Sequence, residues 1–244
     1  MAGSGVDTSA VRKVPGRTVG LYMIELRDGE RTFSYWRGQS AARCLGENRD
    51  WLAEIFADVD AIYFSGITLA ILPPADRTAF CEAVAEARAR GVTVAFDTNL
   101  RPRLWDGEDA MRDGITLGAS VADIVLPSFD EDAALFGDAD AAAAIARYRA
   151  TGARVVAVKN GADTLHVWTE EAGTLSFDPV PAAQLVDTTA AGDSFGAGFL
   201  AALLQGQGPE AAAHQAMALS ARVVGARGAL VDPGQAPEAP HANT

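Results

Sequence analysis

Short apolar runs, recurring between helix-length segments, constrain the fold of this chain most. Ala61 to Phe64, Val92 to Phe96, Ile124 to Leu126 and Val155 to Val158 are nearly continuous rather than alternating. Successive strand residues point to opposite faces, so such strands need cover on both sides. The segments between them read as helices. Arg77 to Arg90 carries Phe80, Val84 and Ala87 at helical spacing and stops at Gly91. Arg49 to Asp58, Ala110 to Gly118, Asp130 to Phe136 and Ala139 to Ala150 complete the alternation. The pattern predicts an α/β fold with a mainly parallel sheet, whose ligands bind beyond the C-terminal ends of the strands.

The flanks differ. Val19 to Leu26 and Arg31 to Trp36 read as a hairpin turned at Asp28-Gly29, a pair that accepts positive φ. Leu165 to Thr169 and Thr174 to Phe177 read as a second hairpin, and Gly192 to Leu204 and Pro209 to Val224 as closing helices. One domain is expected over residues 1–232, with the small hairpin at about 17–38 and a Pro-, Ala- and Gly-rich disordered tail at 233–244.

Charge narrows the partners. A net charge of −12 over 244 residues argues against nucleic acid or an anionic membrane. The N-terminus lacks a basic, then apolar, signal pattern, and a cytoplasmic location is expected. Cys44 and Cys81 are far apart and read as small core residues. The acidic cluster Asp130, Glu131, Asp132, Asp138 and Asp140 lacks calcium-loop spacing and reads as a solvated face.

The run from Asp187 to Gly198 carries the densest chemistry. Small residues lead to one carboxylate, Asp193, at a helix start. A helix N-terminus offers unpaired N–H groups and a positive dipole end to an anion such as phosphate. Asp193 in the first turn could take a proton from a hydroxyl; the alternative is a capped helix with a glycine face for packing. Tyr35 and Arg37, two apart on a strand, suit a hydroxylated carboxylate, or else form a solvated strand edge. Asp97 to Trp105 follows a buried strand and places Arg101 at the ligand end of the sheet, or forms a polar turn broken by Pro102.

The residues from Asp187 to Gly198 resemble the C-terminal signature of the PfkB family, the ribokinase-like sugar kinases. The resemblance implies that Ala190, Ala191, Gly192 and Asp193 form an anion hole with Asp193 as catalytic base. Ala190 stands where the family usually has glycine. Phe33 to Arg37, with Gly20 to Met23, is similar to the lid of the family's 2-keto-3-deoxygluconate kinases. That implies contacts from Tyr22, Tyr35 and Arg37 to a sugar acid, in a pocket lined by Gly66 and Ile67. Asp97 to Trp105 matches the D-x-N-x-R-x-x-L-W pattern of these kinases, which favours Arg101 over Arg103. Ser128 replaces the Asn of the family's N-x-x-E motif, and Glu131 is kept. Glu131 would then organise the water shell of Mg²⁺, although acidic residues at a helix start are often simple dipole partners. By the same resemblance Ser128, Lys159, Gly161, Met217 and Gly228 surround ATP; Met217 is equally at home in a helix core. Asp187 and Thr189 would hold a monovalent cation, K⁺, with Asp187 alternatively a helix cap.

The resemblance implies a ribokinase-like three-layer α/β/α fold with a small β lid, and ATP-dependent phosphorylation of the terminal hydroxyl of 2-keto-3-deoxygluconate. It implies ATP and Mg²⁺ as cofactors, a small-molecule sugar acid as partner, and a homo-oligomer formed through the lid. Relatives have a preceding strand, part of the lid and a glycine-rich substrate motif. Gly5 to Thr8 matches a point well inside them, so either a misassigned start codon or a truncated gene is expected, and the chain as written is expected to be a poor enzyme. A fructokinase or ribokinase, which Tyr35 and Arg37 argue against, and a non-catalytic nucleotide-binding remnant are the alternatives.

Overall fold

The computed structural model describes residues 2–27 and 30–231. The Asp28-Gly29 turn and the tail at 233–244 lie outside them. The chain forms two compact units, Met1–Val158 and Lys159–Thr244.

The first unit opens with an antiparallel hairpin of β1 (Leu21–Arg27) and β2 (Glu30–Trp36), which pairs Tyr22 with Tyr35. Then follow α1 (Arg49–Ile55), β3 (Ala61–Ser65), α2 (Gly66–Ile71), α3 (Pro74–Ala89), β4 (Thr93–Asp97), α4 (Glu108–Ser120), β5 (Ile124–Leu126), α5 (Phe129–Phe136), α6 (Ala141–Ala150) and β6 (Val155–Val158). Strands β3, β4, β5 and β6 pair in that order, all parallel. Val94, Ala95 and Phe96 are consecutive and all buried, so both faces of the sheet are covered, as the continuous apolar runs predict.

Helix α2 was not expected. Strand β3 runs straight into it at Ser65, whose backbone N–H donates to Thr68 Oγ1 at 3.3 Å. This is a capping box with Thr in the place usually held by Glu or Gln, and Pro73 and Pro74 stop the helix within two turns. At the opposite end of the sheet Arg88 ties four segments together. Its Nε donates to Asp123 at 2.9 Å and its NH2 to the Gly152 carbonyl at 3.0 Å, while Asp123 accepts from the Val94 N–H.

The second unit carries the hairpin β7 (Leu165–Thr169) and β8 (Gly173–Phe177), then α7 (Ala191–Leu204) and α8 (Pro209–Val224). The two helices pack closely. A Cβ on Gly198 would lie 2.9 Å from the Ala216 Cα, so Gly198 is the contact point. His166 and His214 both sit in this unit with neighbours. His166 Nδ1 is 3.0 Å from Ser176 Oγ, and His214 packs edge-on to Phe177. Among the described residues no helix is long and apolar enough to cross a membrane.

Candidate active site

Each unit holds part of the expected site. In the second unit, α7 begins where the small-residue run predicts. Ala190 is its N-cap at φ 61°, a left-handed conformation that costs an alanine about 1–2 kcal/mol. The turn is held from behind. Ser194 Oγ and Ser220 Oγ both donate to the Ala191 carbonyl, at 2.9 and 3.1 Å. The Val186 and Asp187 N–H groups donate to the Val224 carbonyl, and Asp187 accepts from the N–H groups of Thr189 and Gly228. Ser220 and Val224 lie one turn apart on α8, so that helix is the template of the turn.

The small residues therefore divide by task. Gly198 serves helix packing, whereas a Cβ on Gly192 would find only Lys159 Nζ, at 3.8 Å. The space over Gly192 is open and bordered by an ammonium, which fits a phosphate at a helix N-terminus. Asp193 is exposed in the first turn of α7. The Ala191 N–H already donates to the Thr188 carbonyl at 3.2 Å, so among the described residues Gly192 and Asp193 are the N-terminal amides without an acceptor one turn back. Gly161 and Gly228 take positive φ, and Met217 is buried within α8. Asp187 here acts as a loop staple, and sequence reasoning missed Ser220 because nothing local marks a helix serine as an anchor for a distant turn.

In the first unit the three residues expected in the lid form one cluster. Tyr22 and Tyr35 have ring centroids 6.4 Å apart, and the Arg37 guanidinium lies 4.4 Å over the Tyr35 ring. Arg37 Nε is buried and has no hydrogen-bond partner among the described residues. This is the shared strand face that the i, i+2 spacing predicts.

The ligand end of β4 carries the second cluster. Asp97 is buried and accepts from the Asn99 N–H and the Tyr63 hydroxyl. Asn99 has φ 33°; with Ala190 it is one of two non-glycine residues at positive φ among the described residues. Such strain concentrates at functional sites. Glu131, at the start of α5, accepts from the Leu100 N–H at 3.2 Å and pairs with Arg101 at 3.4 Å. The structure thus joins Arg101 to Glu131 and leaves Arg103 exposed on the short 3₁₀ turn Pro102–Leu104. Trp105 anchors the far end of the segment beneath Arg77, with its ring against Gly114. Ser128 precedes α5, and its side chain makes no cap bond. Ile67 is half-buried on α2, and a Cβ on Gly66 would lie 2.0 Å from the Thr98 carbonyl oxygen.

The acidic cluster divides: Asp130, Glu131 and Asp140 are exposed, as a solvated face requires, and two members are a correction. Asp132 is fully buried and Asp138 nearly so, not solvated. Tyr148 donates to Asp132, and Arg147 bridges Asp132 and Asp138 while stacking on Phe136 at 3.7 Å. The partners lie up to sixteen residues along the chain, where charge spacing carries no signal.

Residues 1–233 match the family described as pfkB family carbohydrate kinase. The chain is 39% identical over 234 residues to the 2-dehydro-3-deoxygluconokinase of Escherichia coli K12, covering 94% of this chain and 76% of that protein. Among solved structures, a PfkB protein from Polaromonas sp. JS666 is similar with a TM-score of 0.78 and 30% identity, over 92% of this chain and 73% of that one. A ribokinase-type protein from Escherichia coli in complex with ATP and Mg²⁺ matches with a TM-score of 0.75 and 26% identity, over 88% and 68% of the two chains.

Proposed function

The chain belongs to the pfkB family of carbohydrate kinases, and from that premise we propose that it transfers the γ-phosphoryl group of ATP to the terminal hydroxyl of 2-keto-3-deoxygluconate. It is an ATP-dependent sugar kinase that works with Mg²⁺. The 39% identity to a 2-dehydro-3-deoxygluconokinase, spread over 94% of the chain, carries the choice of substrate. The tyrosine pair with Arg37 supports it, since a guanidinium whose buried Nε has no hydrogen-bond partner among the described residues suits a carboxylate and a neutral sugar needs none.

Phosphoryl transfer needs alignment and charge stabilisation more than covalent help from the protein. Asp193 accepts the proton of the attacking hydroxyl. The amides of Gly192 and Asp193 and the Lys159 ammonium hold the transferring group. Mg²⁺ bound with ATP would supply further charge neutralisation, and Glu131 would organise its water. Arg101 grips the sugar acid together with Tyr22, Tyr35 and Arg37. Ser128, Gly161, Met217 and Gly228 belong to the nucleotide side. In this reading Asp187 and Thr189 also hold a monovalent cation, which a KCl against NaCl titration of turnover tests. The exposed Leu21, Met23 and Trp36 on the hairpin support self-association through the lid, measurable by light scattering.

The deciding experiment is a coupled assay of ATP consumption with 2-keto-3-deoxygluconate, fructose and ribose, for the native chain and Asp193→Asn. The sugar acid is the preferred substrate, and the variant loses on the order of 10²–10⁴ in rate with an unchanged circular dichroism spectrum. Preference for a neutral sugar refutes the substrate; near-native turnover of the variant refutes the base.

A further inference from the structure

Arg101 is exposed on a segment whose neighbours Thr98, Leu100 and Trp105 are buried. Asn99 is strained at φ 33°. A pocket of about 510 Å³, open to solvent, borders Leu100 and Pro102 together with Met111, Glu131 and Leu135, so apolar contact alone does not fix the backbone around Arg101. Polar contacts from the first turn of α5 do. Glu131 takes the Leu100 N–H and Arg101, and the next residue, Asp132, accepts from Thr98 Oγ1 at 3.0 Å.

Asp132 is a costly way to hold a threonine. It is fully buried. Burying a carboxylate opposes folding unless partners offset it, and an apolar substitute for a buried ion pair is often as stable. Yet Asp132 is met on every side: by Thr98, by the Tyr148 hydroxyl, and by Arg147, which Asp138 and the Phe136 and Tyr148 rings hold in turn. Thr98 is fully buried too, with its carbonyl against Gly66. Stability alone gives no reason for this arrangement, whereas fixing one short segment in one conformation does.

We propose that Asp132 is a positioning residue: through Thr98 it fixes the segment that aims Arg101, and so sets the affinity for the sugar acid. This rests on the reading of Arg101 as a sugar-acid contact. Asp132 itself touches neither substrate.

Thr98→Val keeps the side-chain shape and removes the hydroxyl; Thr98→Ser keeps the hydroxyl. Thr98→Val raises the KM for 2-keto-3-deoxygluconate about tenfold, the usual scale of one hydrogen bond to a charged group. The KM for ATP stays within about twofold, and Thr98→Ser restores the native value. In an Arg101→Ala background Thr98→Val has no further effect, because both act on one contact. If Thr98→Val does not fold, Tyr148→Phe, which removes another partner of Asp132, shifts the sugar-acid KM alone in the same direction. Equal shifts in both KM values, or full additivity with Arg101→Ala, overturn the proposal. If Arg101→Ala costs affinity and neither Thr98→Val nor Tyr148→Phe does, only the positioning role falls. If Arg101→Ala itself leaves the sugar-acid KM unchanged, the reading of Arg101 falls with it.

Discussion

Single residues carry the chemistry here through their conformation as much as their identity. Ala190 occupies a backbone region that glycine enters without penalty, and it does so at the N-cap of the helix that bears Asp193. Ala190→Gly relieves that strain but gives the unfolded chain more freedom, so a net gain of up to about 1 kcal/mol is expected, read as a raised urea midpoint. A lower midpoint would mean that the alanine methyl makes a compensating contact. Arg37 belongs to the other kind of residue, defined by its charge. Arg37→Ala should raise the KM for the sugar acid at least tenfold while leaving that for ATP near native, since one charge-assisted hydrogen bond is worth about 1.5–3 kcal/mol. Competition with a neutral hexose separates the cases: equal losses for both ligands would exclude a carboxylate grip.

Elements place these residues by close packing at positions where a side chain is missing. Helices α7 and α8 touch at Gly198 and Ala216, and α8 then offers Ser220 and Val224 to the turn that precedes α7. Gly198→Ala puts a methyl 2.9 Å from backbone, which cannot rotate away, so the helices must part. A loss of about 1–3 kcal/mol is expected in chemical denaturation, with a larger proportional loss of turnover than of stability because the turn is displaced. Unchanged activity in a destabilised variant would separate the helix contact from the site. The helices α3, α4, α5 and α6 were legible from apolar spacing and glycine stops to within a few residues. Helix α2 was not, because six residues are too few for periodicity and Thr68 is an uncommon capping partner.

At the scale of the molecule, a chain of net charge −12 takes substrates that are themselves anions. Long-range attraction is absent, so capture must fall to local cations, the role proposed for Arg37, Arg101 and Lys159. The interior is equally selective about charge. Cys81 is buried on α3, and burial raises its thiol pKa from 9.0 to about 12. The folded state thus favours the neutral thiol. Its contribution to stability is complete below about pH 9 and is lost as pH rises toward 12. The difference in urea midpoint between the native chain and Cys81→Ala should therefore narrow from about pH 8 to about pH 10.5. A constant difference would mean that the thiol ionises as easily folded as unfolded.

What the sequence determined by itself is whatever depends on near neighbours along the chain. Apolar runs specified parallel strands covered on both faces. The i, i+2 spacing put Tyr35 and Arg37 on one face, and the small-residue run specified an approachable helix start with one carboxylate. The motif around Asp97 to Trp105 singled out Arg101, and the order of residues from Asp187 to Gly198 was enough to indicate the family. Only the tertiary structure decided which glycine packs and which stays open, that Asp187 staples a loop, and that Glu131 engages Arg101. It also put two members of an acidic cluster read as solvated, Asp132 and Asp138, into a buried network, while Asp130, Glu131 and Asp140 stay exposed. The physical reason is distance along the chain. A carboxylate's fate depends on whether a cation and a hydroxyl are folded against it, and those partners come from other elements, where neither periodicity nor spacing reaches.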